Sequence, residues 1–247
     1  MQTTAFVIKQ PYSVHLCSLD HYCKHMHALI LGPTGTAGSE VLNQALAHND
    51  ITRVTVLHRR STGITHTKLD EIMHSDFTEY LGLEKVFASV DVCFFCLGIS
   101  QMKERNWDRF FKISHDFPVS LAKALMAQNP DVKFCFLSGQ GADPTGMSKL
   151  AFAKAKGAAE TSLRKLGLKH LYIFRPGYIH PDKSNPGRTI GERISGFLFP
   201  VLRFIIPQFV IRAKVLAIGM IQVGLHGYPE VLLDNQMIKK AANSVGD

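Results

Sequence analysis

Short, uninterrupted apolar runs alternate along this chain with longer stretches whose apolar residues recur every three or four positions. The first pattern predicts strands buried on both faces, the second helices with one apolar stripe. "HALILG", from His27, reads as the first strand, and residues 37–48 as a helix with Val41, Leu42, Ala45 and Leu46 on one face. "RVTVLH" and the shorter "EIMHSD" follow as strands two and three, then a helix over 79–89 and "DVCFFCLG" as strand four. Residues 105–128 are predicted helical, with Pro118 marking a break or a second start. "VKFCFLS" is strand five, residues 147–167 form a long helix, and "LKHLYIFRPG" is strand six. Strands separated by helices require parallel pairing through right-handed crossovers. The expected fold class is therefore α/β, a doubly wound parallel sheet of the Rossmann type.

The pattern changes after Gly177. The segment from Gly196, "GFLFPVLRFIIPQFVI", is apolar, aromatic and broken by Pro200 and Pro207. A helix over 212–226, a short strand "EVLLD" and a closing helix over 235–243 follow. A small C-terminal substrate lobe, mainly 178–247, is expected at the carboxyl edge of the sheet, where ligands of open α/β sheets bind. Within 196–213, Arg203 and Arg212 interrupt Phe197, Phe199, Phe204, Ile205, Ile206 and Phe209 at helical distances, which suits an amphipathic element. Such an element caps an apolar substrate pocket or makes a peripheral membrane contact. Residues 1–25 show neither period and are expected to be an extension of a domain spanning 26–247. Their His15, Cys17, His21, Cys23 and His25 match no zinc-finger spacing, so no metal site is assigned.

Composition narrows the class further. Across 247 residues, 46% are hydrophobic and 19% charged, an ordinary globular balance with enough apolar material for a core. No run approaches the roughly 18 apolar residues of a membrane span. No secretory leader is recognisable, and a cytoplasmic location with reduced thiols is expected for the five cysteines. Cys93 and Cys96 form a C-x-x-C on a strand, where residues three apart point to opposite faces, so they are expected to be buried hydrophobes rather than a redox or zinc pair. The net charge of +8 reads as a solvated basic surface, with attraction to an anionic ligand, membrane or nucleic acid as the alternative; no basic–aromatic or finger motif supports nucleic acid.

The chemistry starts in "GPTGTAG", where Gly32, Gly35 and Gly38 follow the first strand and open a helix. Glycines allow a tight turn, a close approach of pyrophosphate and tight packing of helix on strand. Free N–H groups of Thr36, Ala37 and Gly38 would face the phosphates, and Thr34 and Thr36 add hydroxyls. A phosphate-loop NTPase needs a lysine after the last glycine; Ser39 stands there, so that reading fails. About 20 residues on, NAD-binding folds place an acidic residue for the ribose 2′-hydroxyl. This chain has Arg59 and Arg60 there, which cannot accept from a hydroxyl but can clamp a 2′-phosphate. NADP(H) is therefore favoured over NAD(H). Asp76 and Phe77 end strand three, where an adenine would be met.

Taken in order, "GPTGTAG", "HRR", "SDF", "CLG", "FLSGQGAD", "FAKAKGAAE" and "FRPG" resemble the atypical short-chain dehydrogenase/reductase family, nearest to its NmrA-like and Tat-interacting-protein-like groups. The resemblance covers about residues 27–180, with a weaker match at "VLLDNQMIKKAA". It implies Leu97 and Gly98 beside the cofactor and Pro176 and Gly177 near the nicotinamide. Enzymes of this kind use a serine, a tyrosine and a lysine four residues after the tyrosine. Ser138 and Lys156 match; the tyrosine position is Phe152, which has no proton to give.

Three accounts stay open. Tyr178, just after Arg175-Pro176-Gly177, donates the proton in place of the missing phenol; or only hydride transfer is needed; or the protein binds NADP(H) without turnover and reports redox state to a regulatory protein partner. The reading preferred is an NADP(H)-dependent oxidoreductase acting on a small apolar carbonyl or quinone-like substrate, with Ser138, Lys156 and Tyr178 as catalytic candidates. A non-catalytic NADP(H) sensor is the alternative.

Overall fold

The computed structural model describes residues 25–99, 104–182 and 209–244. Seven strands form one parallel sheet in the order β3-β2-β1-β4-β5-β6-β9: β1 (Met26–Leu31), β2 (Ile51–His58), β3 (Leu69–Met73), β4 (Val92–Phe95), β5 (Lys133–Leu137), β6 (His170–Arg175) and β9 (Leu232–Asp234). The order reverses between β1 and β4, and the glycine loop leaves β1 at that point. A crevice forms there because successive crossovers go to opposite sides.

The apolar runs explain the layers. Every residue of β1 and β4 is buried. Their alternate side chains enter two separate cores. Ala28, Ile30, Val92 and Phe94 face helices α1 (Thr36–Ala47), α6 (Ala213–His226) and α7 (Asn235–Asn243). Leu29, Leu31, Cys93 and Phe95 face α2 (Glu84–Ala88), α4 (Phe117–Gln128) and α5 (Ala151–Lys165). Cys93 thus lies in one core while Cys96 packs against the other. Burial, helped at Cys93 by the neighbouring Cys135 and Cys96 and opposed at Cys96 by Lys156, raises both thiols, Cys96 to about 12, so neither is a ready thiolate.

Several element boundaries differ from expectation. The helix expected over 79–89 is only Glu84–Ala88, because Gly82 takes a left-handed turn (φ +84°) just before it. Strand three is Leu69–Met73 rather than 71–76. The helix expected over 147–167 starts at Ala151, because Asp143 closes a turn on the N–H groups of Thr145 and Ser148. At Pro118 the second start is found rather than a break: the proline stands in the first turn of α4. A helix α3 (Trp107–Phe111) passes through a π turn (Lys112–Asp116) into α4, and the N–H of Phe117 donates to the carbonyl of Lys112, five residues back. The wider turn accommodates the missing proline N–H.

The expected C-terminal lobe divides. Helix α6 packs against α1 and beneath β4, β5 and β6, and β9 extends the main sheet, so both belong to the central layers. Among the described residues, only β7 (Tyr178–His180) and β8 (Val210–Arg212) form a separate two-stranded sheet. Residues 210–212 are a strand rather than part of an amphipathic helix, and Arg212 is engaged by Asp182 at 2.5 and 3.0 Å. Phe209 is exposed and Ala213 opens α6, whereas residues 196–208, Arg203 included, and the extension 1–24 lie outside the described residues.

Candidate functional site

The site is built first by missing β-carbons. Gly32 leaves β1 with φ +77°, and a β-carbon on it would stand 2.7 Å from the backbone nitrogen of Leu97. One on Gly38 would stand 2.0 Å from the carbonyl oxygen of Gly32. These two glycines let the turn fold under β4 and let α1 dock on it. Gly35 differs: a β-carbon there would meet only the Gly32 oxygen, at 3.5 Å. It caps α1 with no side-chain bond to the first turn, which contains no acidic residue. The free N–H groups at the start of α1 are left for a ligand.

A cleft of about 210 Å³ opens beside this loop, lined by Gly32, Pro33, Thr34, Leu57, His58, Arg59, Arg60, Phe77 and Leu97. The fold brings the strand ends of β1, β2 and β4 to one edge, and so collects residues far apart in sequence. No lining residue is acidic. Arg59 and Arg60 are exposed at the rim. The loop after them is pinned by Glu71 on β3, which accepts from Ser61 Oγ at 2.7 Å, from the Thr62 N–H at 2.8 Å and from Thr62 Oγ1. Glu71 was not singled out from the sequence, and it lies within a strand that gives no motif signal.

Not every expected contact joins the cleft. Phe77 is buried in its wall. Asp76 turns away: it is exposed and accepts from the N–H of Thr78 at 2.9 Å and its hydroxyl at 2.5 Å. Those bonds hold its carboxyl below the usual range, and they close a turn rather than offer an adenine contact. Gly98 is exposed next to the lining residue Leu97. Thr36, Ala37 and Gly38 form the first turn of α1 behind the loop.

Ser138, Lys156, Pro176 and Gly177 gather at the carboxyl ends of β5 and β6. Lys156 is buried, donates to the Leu137 carbonyl at 2.8 Å, and lies 4.7 Å from the centre of the Phe136 ring. Burial lowers its ammonium to about 8, against the opposing pull of Glu160 and Cys96. One helical turn beyond it, Glu160 is buried and receives both Arg175 Nε at 2.9 Å and Nη2 at 2.5 Å. Ser138 Oγ donates to the same carboxylate. Its proton is committed, so in this arrangement Ser138 offers only lone pairs to a ligand. Glu160 escaped the sequence reading, although its spacing of four from Lys156 puts the two on one helix face.

Phe152, at the tyrosine position, packs its ring tip over Gly139; a β-carbon on Gly139 would stand 2.5 Å from Phe152 Cζ. Gly177 donates to Asn235 Oδ1 at 3.2 Å, and the Pro176 carbonyl accepts from Gln140 at 2.8 Å, which ties the end of β6 to the loop after β5. Tyr178 is half-buried on the small sheet, 6.3 Å from the ring of His180.

The cradle, the free helix N-terminus and the basic rim fit a dinucleotide, and comparisons with known proteins agree. A family model described as NAD(P)H-binding matches residues 32–197. The chain is 31% identical over 179 residues to the mitochondrial protein FMP52 of Candida albicans, covering 70% of this chain and 76% of that one. It is 30% identical over 173 residues to the mitochondrial protein fmp52-2 of Neosartorya fischeri (69% and 74%) and 27% identical over 183 residues to protein HTATIP2 of Rattus norvegicus (72% and 74%). Among solved structures, Gre2 of Candida albicans in complex with NADPH superposes with a TM-score of 0.65 at 13% identity, over 85% of this chain and 78% of that one. The fungal relatives are named as mitochondrial proteins, which overturns the cytoplasmic expectation; nothing in the strand and helix pattern carries an address. The chain belongs to the NAD(P)H-binding family, among the atypical short-chain dehydrogenase/reductase proteins.

Proposed function

We propose that this chain is an NADP(H)-dependent oxidoreductase that passes a hydride between the nicotinamide and a small, apolar carbonyl or quinone-like substrate. The observation that carries the cofactor preference is the pair Arg59 and Arg60 at the rim of a cleft with no acidic lining residue. A 2′-phosphate satisfies two guanidinium groups; a 2′-hydroxyl finds no carboxylate to accept its proton. The Gly32–Gly38 loop and the start of α1 would hold the pyrophosphate. Leu97, Gly98, Lys156, Pro176 and Gly177 are assigned to the nicotinamide half. The cofactor supplies the hydride; the chain orients it and manages the proton. A substrate that needs no strong acid beside its oxygen, such as a quinone, suits a site with Phe152 in the tyrosine's place. By its relatives' names, the protein is assigned to mitochondria.

A second reading, an NADP(H) sensor without turnover that signals to a protein partner, is favoured by one arrangement: Phe152 carries no proton and Ser138 gives its own to Glu160. Titration with NADPH and NADH, followed by a panel of quinones and carbonyls, tests both. Arg59→Ala with Arg60→Ala is expected to weaken NADPH by about 1.5–3 kcal/mol, the worth of hydrogen bonds to charged groups, and to leave NADH nearly unchanged. Equal losses for both cofactors refute the assignment. Tight NADPH binding with no turnover on any substrate selects the sensor.

A further inference from the structure

Resting on the oxidoreductase reading above, we infer that Gln140 is the residue that binds the substrate oxygen, its carboxamide N–H stabilising the charge that forms there, and that quinones rather than simple ketones suit this arrangement. Reduction puts negative charge on an oxygen of the substrate, and a fixed donor beside it lowers the barrier. The expected donors are otherwise engaged. Phe152 has no proton to give, and Ser138 gives its own to Glu160. Lys156 is buried, with its Nζ turned to the Leu137 carbonyl at 2.8 Å. Gln140 stands exposed at the same edge of the sheet, and its carboxamide makes no hydrogen bond to another described residue.

The backbone holds Gln140 in place while leaving its side chain unbonded. After β5 the chain makes a tight turn: the Ala142 N–H donates to the Gly139 carbonyl at 3.2 Å, and Gly141 takes φ +87°. Gln140 is a corner residue of that turn, and its own N–H donates to the Pro176 carbonyl at 2.8 Å. Its side chain lies over Gly177, where a β-carbon would stand 2.9 Å from Gln140 Oε1 and 2.2 Å from the Phe209 carbonyl oxygen. The missing side chain of Gly177 is what admits the carboxamide. On the other flank, the ring tip of Phe152 covers Gly139. Phe152, Gly139, Gln140, Gly177 and Phe209 thus form a continuous row, and of these five Gln140 alone has a polar side chain.

A carboxamide also limits the chemistry. It offers two N–H donors and an acceptor oxygen, but no proton that it can release. A quinone takes the hydride at one oxygen, forming an O–H bond as the donor's C–H bond breaks, and the displaced electron pair comes to rest on its other oxygen as a phenolate. The quinone is reduced by two electrons, NADPH is oxidised to NADP+, and the charged oxygen takes its proton from water. A phenolate survives that wait, since its conjugate acid resembles tyrosine, with a pKa of about 10. The alkoxide left by a simple ketone is far more basic and needs an acid at hand.

The test uses the full chain with NADPH and three probes: menadione, 9,10-phenanthrenequinone and, as a simple ketone, cyclohexanone. Wild type is expected to reduce the quinones at least about 100-fold faster than the ketone, the contribution of a general acid that only the ketone requires. Gln140→Ala should lower kcat on the quinones by about 10–100-fold, less than the loss of a donor from a closed site because water can take its place. NADPH affinity, read by fluorescence titration, and Tm should stay near wild type. Gln140→Glu keeps the size of the side chain and replaces the N–H donors with a carboxylate. Its rate relative to wild type should rise as pH falls from 8 to 5, because the carboxyl regains a donor proton. A merely structural role gives no such profile. The proposal is overturned if Gln140→Ala reduces quinones as wild type does, if it loses NADPH binding and turnover together, or if Gln140→Glu follows the wild-type pH profile. It is also overturned if Tyr178→Phe abolishes turnover that Gln140→Ala retains, or if wild type reduces the ketone as fast as the quinones. In each of these cases wild-type turnover leaves the oxidoreductase reading standing. If wild type binds NADPH and reduces none of the probes, both fall.

Discussion

Alanine at Gly35 and alanine at Gly38 should have opposite consequences, although both residues belong to one loop. At Gly38 the new β-carbon would sit 2.0 Å from the carbonyl oxygen of Gly32 and 2.8 Å from its carbon. Ordinary contact begins at about 3.4 Å, so α1 must retreat by more than an ångström from a backbone that is itself buried under β4. Overpacking of this kind costs about 1–3 kcal/mol and sometimes more. For a chain of this size each kcal/mol lowers Tm by about 2–4 °C. At Gly35 the β-carbon meets only one atom, at 3.5 Å, and φ is −80°, comfortable for any residue. Removing a glycine there gains about 0.4–1 kcal/mol through the unfolded chain, which offsets the poorer N-cap that alanine makes, so stability should stay near wild type. The open side of Gly35 is, on the proposed function, where pyrophosphate would approach, so its methyl should still impair cofactor binding. Thermal melts and NADPH fluorescence titrations on both variants separate the two effects. Gly38→Ala should melt lower, and Gly35→Ala should melt near wild type while binding NADPH at least several-fold more weakly. Equal destabilisation by both, or a Gly35→Ala variant that binds NADPH normally, would refute this division of labour.

Phe152→Tyr should raise reductase turnover, by up to about 100-fold if the missing acid is what limits it; the ring must shift off Gly139 to make room, and a folded, NADPH-binding variant with unchanged rates would show that the phenol is not limiting. His27 is buried, its ring bonding Thr55 Oγ1 at 2.8 Å and Ser89, and burial together with the Arg53 charge lowers its pKa below 6.5. The folded state therefore binds fewer protons than the unfolded one just below that value, so stability is full above pH 6.5 and falls as pH drops beneath it. The urea midpoint should decline from pH 7 to 5 in wild type and less in His27→Gln. Lys156, brought to about 8 from 10.5 by burial, has the same sign at higher pH: stability should rise between pH 8 and 10.5 as the ammonium loses its proton, by at most about 3 kcal/mol. Lys156→Met should abolish that rise and fold as well as wild type below pH 8, since a well-packed apolar replacement spares the chain a buried charge.

The contrast between what the sequence made legible and what it hid follows from the range of the forces involved. Strand runs such as Leu29–Leu31 and the stripe Val41, Leu42, Ala45 and Leu46 declare themselves because burial acts on every residue of an element, and period alone reveals it. The glycine loop was legible for a related reason: a turn of positive φ and two sub-van-der-Waals approaches leave room for one residue type only, so chemistry and identity coincide at Gly32 and Gly38. The helix expected over 79–89 fails where a single residue, Gly82, outweighs the summed preference of its neighbours. Polar partners are a different matter. Ser138 and Glu160 are 22 residues apart, and Arg175 is 15 further on; only the packing of α5 against β5 and β6 makes them one cluster. The serine was therefore found by resemblance, and the carboxylate that takes its proton was not found at all. His58 was hidden more thoroughly still. It ends a strand buried almost continuously, so no alternation tells which way its ring points, and neither ring nitrogen has a hydrogen-bond partner. An absent partner leaves no mark in a sequence. It becomes visible only when the surrounding atoms are in place and the two ring nitrogens are seen to have nothing to hold.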